Sequence, residues 1–179
     1  MRVVAGLAGG RRLRAPVGRQ VRPTSERVRE ALFNALGSLD AIAGATVVDL
    51  FAGTGALGIE ALSRGAAEAV FVERDARAAG VLRENLRALG ADADVRRADA
   101  IAALRDARER GETYDLVLCD HPYRQAPGLG RSLGEALGPV LAEGARVVTE
   151  SDRRAPLELP LPLTDERRYG DALISIHQP

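Results

Sequence analysis

The chain has 179 residues, no net formal charge and 46% hydrophobic residues, which suits one domain of ordinary size with a sizeable core. Its single cysteine, Cys119, excludes an internal disulfide, and no apolar run reaches membrane-spanning length or makes a signal-peptide pattern, so a cytoplasmic protein with no membrane partner is expected. The charge is uneven: residues 1–35 hold eight Arg against Glu26 and Glu30, which suggests a nucleic-acid-facing segment on a body of opposite balance.

Residues 2–5 and 11–15 flank Gly6-Leu7-Ala8-Gly9-Gly10, which predicts a glycine-turned β-hairpin with its arginines exposed. Pro16 and Gly18 end it. Pro23 biases Arg22 toward an extended backbone, and Thr24 or Ser25 can cap the next helix. In that helix Val28, Ala31, Leu32, Ala35 and Leu36 share one face, Arg27 and Arg29 project elsewhere, and Gly37 is the expected stop. From Ala45 the pattern alternates between short apolar runs and amphipathic stretches. Strands are predicted over 45–50, 69–73, 94–98, 114–119 and 145–149, and helices over 54–64, 76–89, 101–110 and 128–141. Residues 156–162 are proline-rich and read as a surface loop. Tyr169-Gly170-Asp171 then turns a short segment onto 172–176 as a terminal antiparallel hairpin.

This alternation predicts an α/β chain: a doubly wound, mostly parallel, Rossmann-like seven-stranded sheet with helices on both faces, preceded by a β-hairpin and helix. Residues 1–37 form a basic extension packed on a core of residues 38–179. In such sheets ligands bind beyond the carboxyl ends of the strands. Asp49, Glu73, Asp99 and Asp120 end successive strands, so one rim is expected to carry all four. No Cys or His cluster has metal-ligand spacing, and His121 and His177 are far apart, so no metal site is expected.

Gly53, Gly55 and Gly58 give the spacing G-x-G-x-x-G at a strand-to-helix turn, where glycines let backbone amides approach a ligand closely. By itself the pattern is equally that of a tight turn. Glu73 follows Gly53 by twenty residues, at the end of the next strand, where such folds place a carboxylate on a ribose hydroxyl pair. The combination points to a nucleoside cofactor.

Asp120-His121-Pro122-Tyr123 is the second informative stretch. An exocyclic amine conjugated to a base ring is a poor nucleophile unless acceptors hold its N–H groups and turn its lone pair toward an electrophile. Asp120 and the His121 carbonyl are suited to accept, and Tyr123 to stack on a flipped base. The bland alternative is a proline turn with Tyr123 as packing. Cys119 reads as a small core residue and His177 as solvated.

At this point the chain resembles the class I S-adenosylmethionine-dependent methyltransferases. Within them it is similar to the family that methylates the exocyclic N2 of a guanine in small-subunit ribosomal RNA. Residues 22–34 resemble that family's N-terminal signature, residues 49–65 its cofactor loop, and Phe71-Val72-Glu73 and Tyr169-Gly170 also fit. The resemblance implies S-adenosylmethionine as cofactor. Asp49, Gly53 and Gly55 would cradle its methionine end, Glu73 would accept from the ribose hydroxyls and Asp99 would meet the adenine amino group, with Phe51, Ala52 and Asp120 as further cofactor-binding residues. For Asp99 the alternative is a helix N-cap before Ile101.

The resemblance further implies ribosomal RNA as partner, within a small-subunit ribonucleoprotein particle, engaged by a monomer through Arg11, Arg12, Arg14, Arg22, Thr24 and Arg27. Asp120, His121, Pro122 and Tyr123 are the expected catalytic residues. His121 departs from the family's Asp or Asn, Pro, Pro, Tyr or Phe motif. The change keeps the carbonyl and removes a φ restraint, and the imidazole is either a tolerated replacement or a proton acceptor. Three other readings stay open: a DNA amino-methyltransferase, a nicotinamide-dependent oxidoreductase using the same glycine turn, and an RNA-binding homologue with impaired catalysis.

Overall fold

The structure is a computed structural model that describes residues 1–15, 25–121 and 128–179. Seven strands form one sheet: β1 (Thr46–Asp49), β2 (Glu68–Val72), β3 (Asp94–Arg96), β4 (Tyr114–Asp120), β5 (Leu141–Asp152), β6 (Leu163–Tyr169) and β7 (Ala172–His177). Their order is β3-β2-β1-β4-β5-β7-β6, parallel from β3 to β5 and antiparallel for β7 and β6. The helices are α1 (Glu26–Ser38), α2 (Ala56–Ser63), α3 (Ala76–Leu89), α4 (Ala100–Glu109) and α5 (Leu129–Leu137), the last continued by a 3-10 turn over Gly138–Val140.

Alternation along the strands builds two cores. Val47, Phe71, Leu116, Leu118 and Ile174 pack with Leu32 and Phe33 of α1, Ile59 of α2 and Leu82 of α3. Val48, Leu50, Val117, Cys119 and Val147 face the other way, onto Leu104 of α4 and Leu133 of α5. A central strand buried on both faces needs this unbroken apolar run, because successive side chains point to opposite sides. Each fully buried Phe or Leu of this kind contributes about 1.5–3 kcal/mol.

Local signals set several boundaries. Asp75 accepts from the amides of Arg77 and Ala78 to start α3, and Gly90, at φ 67°, ends it. Ser25, rather than Thr24, caps α1 through the Val28 amide. That helix passes Gly37 and closes on Leu39. The expected N-terminal hairpin is reduced to one antiparallel bridge, Arg2 with Arg12, with backbone bonds from Val3 to Arg11 and from Gly10 to Val3. Regular strands are absent there, and the segment's other backbone groups bond to Glu26 and Arg29 of α1, Glu60 and Ser63 of α2 and Asn85 of α3.

Three expectations are corrected. Arg29 does not project away from the core: it is fully buried, lies beside Glu60 of α2 and donates to the Arg2 carbonyl. Residues 156–162 are not a free surface loop, since Leu157 and Leu159 enter the α4–α5 core and the segment lies hard against Gly130 and Gly134 of α5. His177 is buried rather than solvated, with Nδ1 3.2 Å from the Leu161 carbonyl. Among the described residues no helix is long and apolar enough to cross a membrane.

Glu60 fastens the N-terminal segment to this frame. Fully buried on α2, it accepts from the Val4 and Ala5 amides at 2.7 and 3.0 Å and from Arg64 Nε at 2.7 Å. Ser63, one turn on, accepts from the Leu7 and Ala8 amides through its carbonyl and hydroxyl oxygens.

Candidate functional site

The chain leaves β1 toward β2 and β3, then returns to place β4 on the other flank of β1. The strand order thus reverses between β1 and β4, and it is beyond the carboxyl edge at such a switch point that sheets of this kind bind ligands. Along this edge Asp49 and Asp120 end β1 and β4, Glu73 directly follows β2, and Asp99 lies three residues beyond β3, whose regular pairing stops at Arg96.

The turn after β1 is fixed by its neighbours. Leu50 and Ala52 continue the sheet by donating to Leu118 and Val72 carbonyls. Gly53 and Gly55 have φ of 54° and 88°, which side chains of L-residues rarely adopt. Space separates the roles of the three glycines. A Cβ on Gly53 would have nothing closer than 4.0 Å, so this glycine borders open space. A Cβ on Gly55 would lie 2.3 Å from Leu82 Cδ1, and one on Gly58 the same distance from Phe71 Cε1. The first glycine leaves room for a ligand, and the other two bring α2 close to α3 and β2.

Two carboxylates organise the turn. Glu73 accepts from the Gly53 amide at 2.9 Å and from the Asp75 amide at 2.7 Å, which aims it along the edge. Asp49 is almost wholly buried; its Oδ2 accepts from the Gly58 amide at 2.9 Å, and Oδ1 has no partner among the described residues. An orphaned buried oxygen beside an open glycine is one that a bound amine or hydroxyl would satisfy. Burial, reinforced by the nearby Glu73 charge, pushes the Asp49 carboxyl up to about 7 against the pull of the Gly58 amide.

This shift makes stability depend on pH. The fold keeps the Asp49 proton to about pH 7, whereas the unfolded chain releases it near pH 4. Between these values each added pH unit favours unfolding by up to about 1.4 kcal/mol. Urea midpoints of the ligand-free protein should therefore fall as pH rises from 4 to 7, and Asp49→Asn should flatten that slope. An unchanged slope in the variant would assign it elsewhere.

Asp99 accepts from the Ile101 and Ala102 amides at 3.0 and 3.4 Å, so the N-cap alternative is realised. At the end of β4, Asp120 is half-buried and pairs in register with Glu150 of β5. The next residue, His121, is buried at 1% exposure, its ring edge-on to Phe51 at 6.3 Å between centroids. Neither of its ring nitrogens makes a hydrogen bond of normal geometry among the described residues, although the Glu150 backbone acts on the ring. Burial pushes its pKa down and so favours the neutral imidazole, an effect the Glu150 backbone partly offsets. Cys119 is buried with its thiol pushed well up by desolvation, as befits a core residue. Pro122, Tyr123, Arg22 and Thr24 lie outside the described residues.

Of the expected RNA contacts, Arg11, Arg12, Arg14 and Arg27 are all exposed. Arg11 donates to the Ala88 carbonyl and Arg14 pairs with Glu84, both on α3, while Arg12 has no side-chain partner among the described residues. Asn85 joins this segment to the turn, accepting from the Arg14 amide and donating to the Arg14 and Thr54 carbonyls. Periodicity gave no sign of Asn85 or Glu60, because a polar residue among helical apolar positions carries no mark of its distant partner. No group of three metal-type side chains occurs among the described residues.

A family model described as "Conserved hypothetical protein 95" matches residues 1–178. The Bacillus subtilis protein named "Putative rRNA methyltransferase YlbH" is 37% identical over 99% of this chain and 98% of its own length. The Escherichia coli protein named "Ribosomal RNA small subunit methyltransferase D" is 40% identical over 70% of this chain and 61% of its own. A solved Escherichia coli structure, "Putative methyltransferase yhhF", superposes with a TM-score of 0.85 at 34% identity, covering 99% of this chain and 97% of that one.

Proposed function

The chain belongs to the conserved hypothetical protein 95 family, and from that premise we propose that it transfers a methyl group from S-adenosylmethionine to the exocyclic N2 amine of a guanine in small-subunit ribosomal RNA. The observation that carries this reading is the pairing, across adjacent strands at the switch point, of a glycine turn backed by Asp49 and Glu73 with the carboxylate of Asp120. Two relatives whose names state rRNA methylation support the substrate class.

When bound, S-adenosylmethionine supplies an electrophilic methyl group on a sulfonium. The open backbone at Gly53 and the orphaned Asp49 oxygen suit its methionine end, and Glu73 its ribose hydroxyls. Asp120 and the His121 carbonyl would hold the N–H groups of the incoming amine and turn its lone pair toward the electrophile; the S–CH3 bond would break as the N–CH3 bond forms, and the released amine proton would pass to solvent. Tyr123 stacks on the extruded base. Positioning supplies most of the rate, so no strong base is required. The His121 imidazole, enclosed beside Phe51, acts as packing at the end of β4 rather than as a solvent-linked base.

Mass spectrometry and primer extension on ribosomal RNA from a deletion strain test the reading; an unchanged methylation pattern would reject it. His121 favours a second reading, an RNA-binding homologue with impaired catalysis, because it removes a proline from the expected motif. His121→Pro should then raise methyl transfer sharply from a low level.

The substrate is engaged by a monomer, within a small-subunit particle, through the N-terminal arginines. Alanine at Arg11, Arg12 and Arg14 should weaken RNA binding and reduce its salt slope by about 1–2, since each phosphate neutralised on a single strand adds roughly 0.7 to that slope. Affinity for S-adenosylhomocysteine without RNA should hold. A fall in that affinity would make these side chains structural.

A further inference from the structure

Asn85 makes contacts that no local rule of α3 requires. It lies in the middle of that helix, 2% exposed, between the buried Leu82 and Leu86. A buried primary amide is costly unless its donors and acceptor are used. Here they are used on two separate pieces of chain. Oδ1 accepts from the Arg14 amide at 2.8 Å, while Nδ2 donates to the Arg14 carbonyl at 3.2 Å and to the Thr54 carbonyl at 3.0 Å. The first two bonds hold the backbone of residue 14 as a strand neighbour would. The third fixes the peptide between Thr54 and Gly55, whose other end, the Gly55 amide, donates to the Ala52 carbonyl at 2.7 Å. Leu82, one turn earlier on α3, fills the space against Gly55.

The arginine-bearing segment and the glycine turn are therefore held by one side chain. The peptide that Asn85 orients lies next to Gly53, the glycine that borders open space. Arg11 and Arg14 also reach α3 by their side chains, but those contacts are exposed and give little rigidity. The buried amide is the stiff link. Ordering either end of it, by phosphates on the arginines or by a nucleoside at the turn, lowers the cost of ordering the other.

We infer that Asn85 is a positioning residue that couples RNA binding on the Arg11–Arg14 segment to cofactor binding at the 49–55 turn. This rests on the proposed RNA and cofactor assignments. Saturating S-adenosylhomocysteine should tighten binding of a fluorescein-labelled RNA oligonucleotide to the full-length protein by about fivefold, within the usual range of such couplings.

In Asn85→Ala that ratio should fall to within about twofold of one. Asn85→Asp, which keeps the acceptor for the Arg14 amide and loses both donor bonds, should do the same. The ratio isolates the role: a variant that merely loosens the fold loses affinity for both ligands and keeps the ratio. Circular dichroism and urea midpoints establish that each variant is folded, and the Asp variant carries the test if the Ala variant is not. No coupling in the wild type, or full coupling in a folded Asn85 variant, would overturn the inference. Failure of the wild type to bind S-adenosylhomocysteine at all would instead overturn the proposed function.

Discussion

Asp120→Ala should lower methyl transfer by about a thousandfold, a modest part of what positioning can supply in oriented reactions. The carboxylate stands half-buried at the last residue of β4, beside β1 and the turn that follows it. If its work is to hold an amine, the loss falls mainly on kcat, since the aligned geometry matters most as the new bond forms. S-adenosylhomocysteine affinity, read by calorimetry, should change by less than about tenfold, because the glycine turn, Asp49 and Glu73 remain. Asp120→Asn keeps one acceptor oxygen and should retain more activity than the Ala variant. Full activity in Asp120→Ala would remove the amine-positioning mechanism.

The second large effect is on stability. Glu60→Ala should cost about 3–5 kcal/mol, the range seen when one partner of a buried ion pair is removed. It strips the Val4 and Ala5 amides and Arg64 of their acceptor and leaves the fully buried Arg29 guanidinium without its carboxylate. Urea titration reads the loss directly. A compensating change, Arg29→Met, should restore part of it by removing the stranded charge. A loss below about 1 kcal/mol would mean that the N-terminal segment is held by other contacts.

What could be read in advance divides by range. The bounds of α3 were legible because Asp75 and Gly90 act within a turn of themselves. The two-faced strands were legible because their apolar runs are local, and the switch point between β1 and β4 followed from their order. Gly53, Gly55 and Glu73 came from spacing, although only packing shows that Gly58 answers to Phe71 and Gly55 to Leu82. Arg29 was misplaced because helical periodicity assigns every charge to solvent, and nothing within α1 announces a carboxylate on α2. Leu157 and Leu159 were hidden by the prolines around them, which read as a loop although glycines on α5 make room for that backbone. His177 and Asn85 have the same explanation: each bonds to chain distant in sequence, His177 through Nδ1 to Leu161 and Asn85 to Arg14 and Thr54, through bonds that leave no periodic trace.

Cys119 gives the protein a built-in clock. It is the sole sulfhydryl of the chain, sits at 2% exposure on a strand with neighbours on both sides, and has its ionisation suppressed. Only the thiolate attacks an alkylating reagent, so the native state is nearly inert and modification proceeds through openings that expose the sheet's centre. The labelling rate by iodoacetamide should fall as S-adenosylhomocysteine is added, by the factor that ligand linkage sets. A rate indifferent to ligand would mean that β4 opens without disturbing the glycine turn after β1.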